Sequence, residues 1–122
     1  MAALAQASLS RAERAATEEL VAAVCARFGA RLRAVWLYGS RARGEAPGEW
    51  SDIDLILLID APTSAEASDV YGMAMDASLA HGLPSALFSP QVHDPAWPAE
   101  RRAIRDFFIA EVDRDPIVLY QA

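Results

Sequence analysis

The sequence predicts an α/β (α+β) fold, a small mixed β-sheet of three or more strands with helices packed on it. Two observations carry this expectation. Segments with apolar residues at helical spacing alternate with short apolar runs of strand length, and glycines and prolines fall between them. Such alternation buries its apolar faces most readily as helices layered on a sheet. At 122 residues the chain has the size of one ordinary domain, so residues 1–122 are expected to form a single unit.

Taken in order, Ser10 to Phe28 places Leu20, Val21, Val24, Cys25 and Phe28 at helical spacing. Ser10 is the expected cap, with Glu13 three residues on and Gly29 as the stop. Ala34 to Tyr38 (AVWLY) is short, apolar and aromatic and runs straight into Gly39, the pattern of a buried strand ending in a turn. Ser40 to Glu45 starts a short helical stretch, and Ala46 to Trp50, with Pro47 and Gly48, reads as a loop. Asp52 to Ile59 (DIDLILLI) is a second strand, polar at its start and apolar on both faces beyond it.

Ser64 to Ala80 has helical spacing, with Val70, Met73, Ala74, Ala77 and Leu79 or Ala80 as its inner stripe and Gly82 as its end. Leu83 to Ser89 (LPSALFS) is expected as the third strand despite Pro84. Pro90 to Pro98 reads as irregular, Ala99 to Val112 as one helix, and Ile117 to Tyr120 (IVLY) as a last apolar segment.

Bulk properties narrow the function. An apolar content of 53% with 23% charged residues is that of a globular chain, and no apolar run reaches the roughly 20 residues of a membrane helix. The first residues lack a basic start followed by an apolar block, so a cytoplasmic protein is expected. Cys25 is the sole cysteine, which excludes an internal disulfide and a thiolate zinc cluster; packing on the first helix is its expected role. A net charge of −6 argues against an extended nucleic-acid surface, because such binding rests on many phosphate contacts. Every basic residue is arginine, so a P-loop lysine and a lysyl-nucleotide intermediate are both excluded.

The chemistry sits in Leu37 to Leu55, LYGSRARGEAPGEWSDIDL: a strand, Gly39-Ser40, eleven residues, then Asp52-Ile53-Asp54 opening the next strand. Side chains alternate along a strand, so Asp52 and Asp54 share one face while Ile53 turns into the core. Two carboxylates held that close repel by about 1 kcal/mol even in water, and a divalent cation turns the repulsion into a site. Carboxylates are the hard ligands Mg²⁺ prefers, and Mg²⁺ completes its shell with water and substrate phosphate. A pair of metals roughly 4 Å apart would stabilise the attacking and leaving oxygens of a phosphoryl displacement.

Gly39 allows a sharp bend and a close ligand approach, and Ser40 offers a hydroxyl and a backbone N–H to phosphate. Arg41 and Arg43 flank the turn; one of them is expected to neutralise a phosphate, Arg43 being the better placed, and the alternative for both is a solvated side chain. Ser51 either ends the loop or joins the phosphate or metal shell. Trp50 either stacks on a base or anchors the loop, and Glu45 and Glu49 read as loop charges. His81 suits a helix end, and His93 has no metal-ligand spacing to it. Arg101, Arg102 and Arg105 read as a wet helix face.

GSRARG followed by SDIDLILLID resembles the signature of the DNA polymerase beta-like nucleotidyltransferase superfamily, and of its minimal single-domain members in particular. The match is dense over Leu37 to Asp60. The resemblance implies the polymerase-beta-like nucleotidyltransferase fold, phosphate binding at Gly39 and Ser40, and Mg²⁺ ligation by Asp52 and Asp54. It implies Mg²⁺-dependent transfer of a nucleoside monophosphate from a triphosphate, expected to be ATP, to a hydroxyl, releasing pyrophosphate.

One departure bears on turnover. The superfamily carries a third carboxylate on the next strand, and Leu83 to Ser89 holds no acid; Asp76 and Asp94 are the nearest alternatives in sequence. The competing expectation is therefore a catalytically weak or inactive nucleotide-binding partner protein. Small proteins of this type resemble the antitoxin of a two-gene module whose toxin is a helical HEPN protein. A shallow acceptor side further suggests that such a partner, or a second copy in a homo-oligomer, completes the site.

Overall fold

The computed structural model describes residues 6–48 and 51–122. Glu49 and Trp50, with the roles expected of them, lie outside the described residues. Among those described, the elements run α1 (Arg11–Phe28), a 3₁₀ turn (Gly29–Arg31), β1 (Leu32–Tyr38), β2 (Ile53–Ile59), α2 (Ser64–Ala80), β3 (Phe88–His93), α3 (Trp97–Ala103), α4 (Phe107–Asp113) and β4 (Ile117–Gln121). The result is a four-stranded mixed sheet in the order β3-β2-β1-β4, the α+β architecture that the alternation predicts. β1 is antiparallel to both β2 and β4, while β2 and β3 are parallel and therefore need the crossover that α2 supplies.

α1 begins as its sequence dictates: Ser10 and Glu13 form a capping box, the Ser10 side chain accepting from the Glu13 N–H at 3.1 Å. α2 does the same, with Thr63 as the cap immediately before Ser64 and Glu66 as its partner.

The sheet separates two apolar layers. Ile53, Leu55, Leu57 and Ile59 of β2, with Val35 and Leu37 of β1, pack against Leu20, Val24 and Val70 of α1 and α2. Ile56 and Leu58, with Ala34 and Tyr38, face Ile109 and Val112 of α4. β2 is thus apolar on both faces because helices cover both, each fully buried Leu or Ile contributing roughly 1.5–3 kcal/mol. By alternation Asp54 points to the α4 side.

Three expectations are corrected. The third strand is Phe88–His93 and not Leu83 to Ser89: Pro84 to Leu87 forms a turn, closed by the Leu87 N–H on the Pro84 carbonyl at 3.1 Å. Pro90 is tolerated because β3 is a sheet edge. The expected helix from Ala99 to Val112 is two helices, broken where Arg105 takes the left-handed conformation (φ 53°) and Asp106 caps α4 by accepting from the Phe108 N–H. In α2, Leu79 and Ala80 turn outward, and Ser78 is buried with Val70, Ala74 and Ala77.

Candidate active site

β1 ends at Tyr38, the Cα partner of Asp54 across the β1–β2 ladder, so the turn after β1 and the carboxylate on β2 share one end of the sheet. Gly39 follows at φ +80°, a conformation that favours glycine. A Cβ placed on Gly39 would lie 2.7 Å from Asp54 Oδ2. The glycine is therefore required twice, once by its backbone angle and once by the acid packed against it.

The turn beyond is one helical loop. The Arg43 N–H donates to the Gly39 carbonyl at 3.2 Å, and bonds from Gly44 N–H to Arg41 and from Glu45 N–H to Ser40 close it as a Schellman motif. Gly44, at φ +75°, occupies the left-handed position that ends it.

Asp52, exposed, immediately precedes β2, and Asp54, half-buried, is its second residue. Burial, then the charges of Asp52 and Glu111, push the Asp54 carboxyl up to about 6, with Arg41 opposing them. Burial, followed by the charges of Asp54 and Glu111, pushes the Tyr38 phenol up to about 12. The site thus carries excess negative charge at its floor.

The structure separates the roles of the flanking arginines. Arg41 is 5% exposed and not solvated, and it is fully engaged with protein. It donates to both Glu13 carboxylate oxygens at 2.9 and 3.1 Å, to the Ser8 carbonyl at 2.9 Å, and to the hydroxyl and carbonyl of Ser51 at 2.9 and 3.1 Å. It ties the start of α1 to the residue before Asp52. Ser51 is thereby fixed at the rim, its oxygen accepting from Arg41 and its O–H left to donate. Arg43 instead reaches toward α4, donating through Nε to Glu45 and through Nη1 to Glu111 at 2.7 Å. A polar pocket of about 310 Å³ opens against it, lined also by Gln6, Ala42, Asp115, Pro116 and Ile117.

The strand beside Asp54 offers no acid in its observed register either: Ser89 is the Cα partner of Asp54 and Gln91 that of Ile56. Asp76 lines the groove between α1 and α2, in the layer away from Asp54. Asp94 accepts from the Ala61 and Ala96 N–H groups, beyond the far end of β2 and about 17 Å along the strand from Asp54. Neither reaches the site. The acid that sequence reasoning missed is Glu111, 57 positions from Asp54 and brought to it only by the packing of α4 on the sheet.

The remaining expected residues are accounted for elsewhere. Cys25 packs against the main core, and burial pushes its thiol up, away from reactivity. His81 caps α2 and pairs with Glu19 at 2.8 Å, while His93 stacks on Trp97 at 3.9 Å. Arg101, Arg102 and Arg105 are exposed, and Arg102 pairs with Asp113 at 2.6 Å.

Among the described residues no three His, Cys, Asp or Glu side chains converge tightly enough to hold a metal by themselves. Two carboxylates are nonetheless an ordinary protein contribution for Mg²⁺, whose shell is completed by water and phosphate. Repulsion between Asp52 and Asp54 marks the place where a cation is favoured, so the residues present fit such an ion. Among the described residues no helix is long and apolar enough to cross a membrane.

Comparison with known proteins agrees with this geometry. Residues 17–114 match the family model described as "Nucleotidyltransferase domain". No curated protein matches. A crystal structure at 1.40 Å from Sulfolobus solfataricus, named as a candidate nucleotidyltransferase, superposes with a TM-score of 0.51 at 20% identity, over 87% of this chain and 78% of that one. At that identity the likeness speaks for the fold. The family match spans most of the chain and includes the Gly39 turn, the Asp52–Asp54 pair and α4: this chain belongs to the nucleotidyltransferase domain family.

Proposed function

We propose that the chain transfers a nucleoside monophosphate from a nucleoside triphosphate, ATP by preference, to a hydroxyl acceptor and releases pyrophosphate. The observation that supports the reading is how closely the Asp54 carboxylate packs on Gly39, where an added Cβ would lie 2.7 Å from Oδ2, so that a turn suited to phosphate adjoins an acid suited to a cation. Asp52 and Asp54 would hold Mg²⁺, which supplies charge neutralisation at the phosphates and polarises the reacting oxygens. The Gly39 and Ser40 amides, the Ser40 and Ser51 hydroxyls and the Arg43 guanidinium bind and orient the triphosphate, so that its α-phosphorus faces the acceptor. Arg41 positions Ser51 and the entry to β2.

The test is pyrophosphate release from each of the four common triphosphates with Mg²⁺. Release from ATP, lost in Asp52→Asn, supports the reading; no release with any triphosphate or acceptor protein removes it. A second reading, a nucleotide-binding partner protein of a HEPN-type toxin, is favoured by Ser89 standing beside Asp54 where an acid would activate the acceptor. That reading expects tight binding of Mg²⁺ and ATP without pyrophosphate release.

Gly39→Ala tests the junction itself. The left-handed backbone and the 2.7 Å approach to Asp54 make the methyl group costly, by about 1–3 kcal/mol. A thermal melt should fall accordingly. The Asp54 carboxylate must also move, so nucleotide affinity should drop by about tenfold or more in calorimetry.

A further inference from the structure

The Arg43 guanidinium, expected to bind phosphate, is engaged by the protein's own anions. Its Nε donates to Glu45 and its Nη1 to Glu111 at 2.7 Å. The exposures show which members can move: the Arg43 side chain is 13% exposed, those of Glu45 and Glu111 are 51% and 45%. The two carboxylates form the outer layer, and an arriving anion meets them before it meets the arginine. Each carboxylate is exposed enough to return to water when an arriving anion takes its place on Arg43, so an exchange of partners keeps the guanidinium paired.

The two carboxylates are not equivalent. Glu45 ends the Gly39 loop, whereas Glu111 stands on α4, which is fixed to the sheet through buried Ile109 and Val112 and through Phe108, edge-on to Tyr38 at 5.8 Å. With α4 held in place, Glu111 moves by swinging its side chain. Its charge acts on Asp54 and on Tyr38, the pair facing each other across β1 and β2. Once released from Arg43, Glu111 becomes a third uncompensated negative charge beside Asp52 and Asp54, and bringing in a polyphosphate without a cation worsens that repulsion.

We propose that Glu111 is a built-in competitor for the nucleotide's phosphates, which exchanges its bond to Arg43 for the neighbourhood of the metal site and so makes triphosphate binding depend on a divalent cation. This rests on the nucleotide-site reading above. Glu111 is a positioning residue in this scheme: it acts through Arg43 when the site is empty and through the field at Asp54 when Arg43 is taken. The consequence is positive coupling between metal and triphosphate, and selection against metal-free polyphosphate.

The experiment is calorimetric titration of inorganic tripolyphosphate, in EDTA and in saturating Mg²⁺, into the wild type, Glu111→Gln and Glu45→Gln, each checked by thermal melt. In the wild type Mg²⁺ should raise affinity by about tenfold or more. Glu111→Gln should bind metal-free tripolyphosphate about fivefold more tightly and lose most of the Mg²⁺ enhancement. Glu45→Gln removes a competitor that does not act on Asp54, so metal-free binding should strengthen while the enhancement persists. A folded Glu111→Gln with wild-type affinity in both conditions overturns the role of Glu111 alone. A wild type that binds no tripolyphosphate even with Mg²⁺ overturns the nucleotide-site reading and this inference together.

Discussion

Asp54→Asn is expected to raise the stability of the ligand-free protein and to abolish the metal-dependent nucleotide chemistry proposed for it. The folded chain holds this carboxyl at about 6 against an ordinary 3.8, chiefly by burial and secondarily by Asp52 and Glu111. A carboxyl raised by folding contributes fully below its unfolded value, and the contribution is lost as pH rises from about 3.8 through about 6. At neutral pH the ionised acid therefore destabilises the fold, by an amount on the order of 1–3 kcal/mol once solvent screening is allowed for. The amide removes that cost. In thermal melts the variant should exceed the wild type by roughly 3–10 °C near neutral pH, and the gap should close below about pH 4. Affinity for ATP with Mg²⁺ should meanwhile fall by about a hundredfold or more. A variant less stable than the wild type at neutral pH would show that Asp54 is a structural acid and not one held in place for a cation.

The largest expected loss of stability is Arg41→Ala. This guanidinium joins three segments, the approach to α1 at Ser8, the capping-box residue Glu13, and the end of the site loop at Ser51. Burial alone would push the Glu13 carboxyl up; the Arg41 bond and the Ser10 N–H more than reverse it. Removing the arginine leaves a partly buried carboxylate without its charged partner and three serine oxygens without that donor, a change that typically costs about 3–5 kcal/mol. The midpoint of a thermal melt should fall by about 10–20 °C. Arg41→Lys should recover only part of this, because a point charge cannot serve Glu13 and Ser51 together. A fall of only a degree or two in Arg41→Ala would show that the three segments are held by other contacts.

The parts of this molecule legible in its sequence are those governed by local rules. The capping box at Ser10 and Glu13, the span of α2, and the placement of Asp52 and Asp54 where β2 begins follow from spacing alone. The third strand is not legible locally, because Pro84 and Pro90 bracket an apolar stretch and the pairing of Ile53 with Phe88 decides the register. The break before α4 had a readable signal in Asp106 ahead of Phe107 and Phe108, but helical periodicity runs across it. Arg41 and Glu111 have none: their partners lie 28 and 68 positions away, and two arginines separated by one residue on a helical turn project to different sides. The carboxylate pair and its glycine turn were visible locally; the charges that tune them arrive through tertiary packing.

On the proposed reading the Gly39 turn and the Asp52–Asp54 pair form one site for a metal-bound triphosphate. Its most direct test is calorimetric titration of α,β-methylene-ATP with Mg²⁺, which separates binding from turnover. Saturable binding to the wild type, lost in Asp52→Asn/Asp54→Asn with the fold intact, is the predicted result. Absence of binding to the wild type, or equal binding to the double variant, would contradict it.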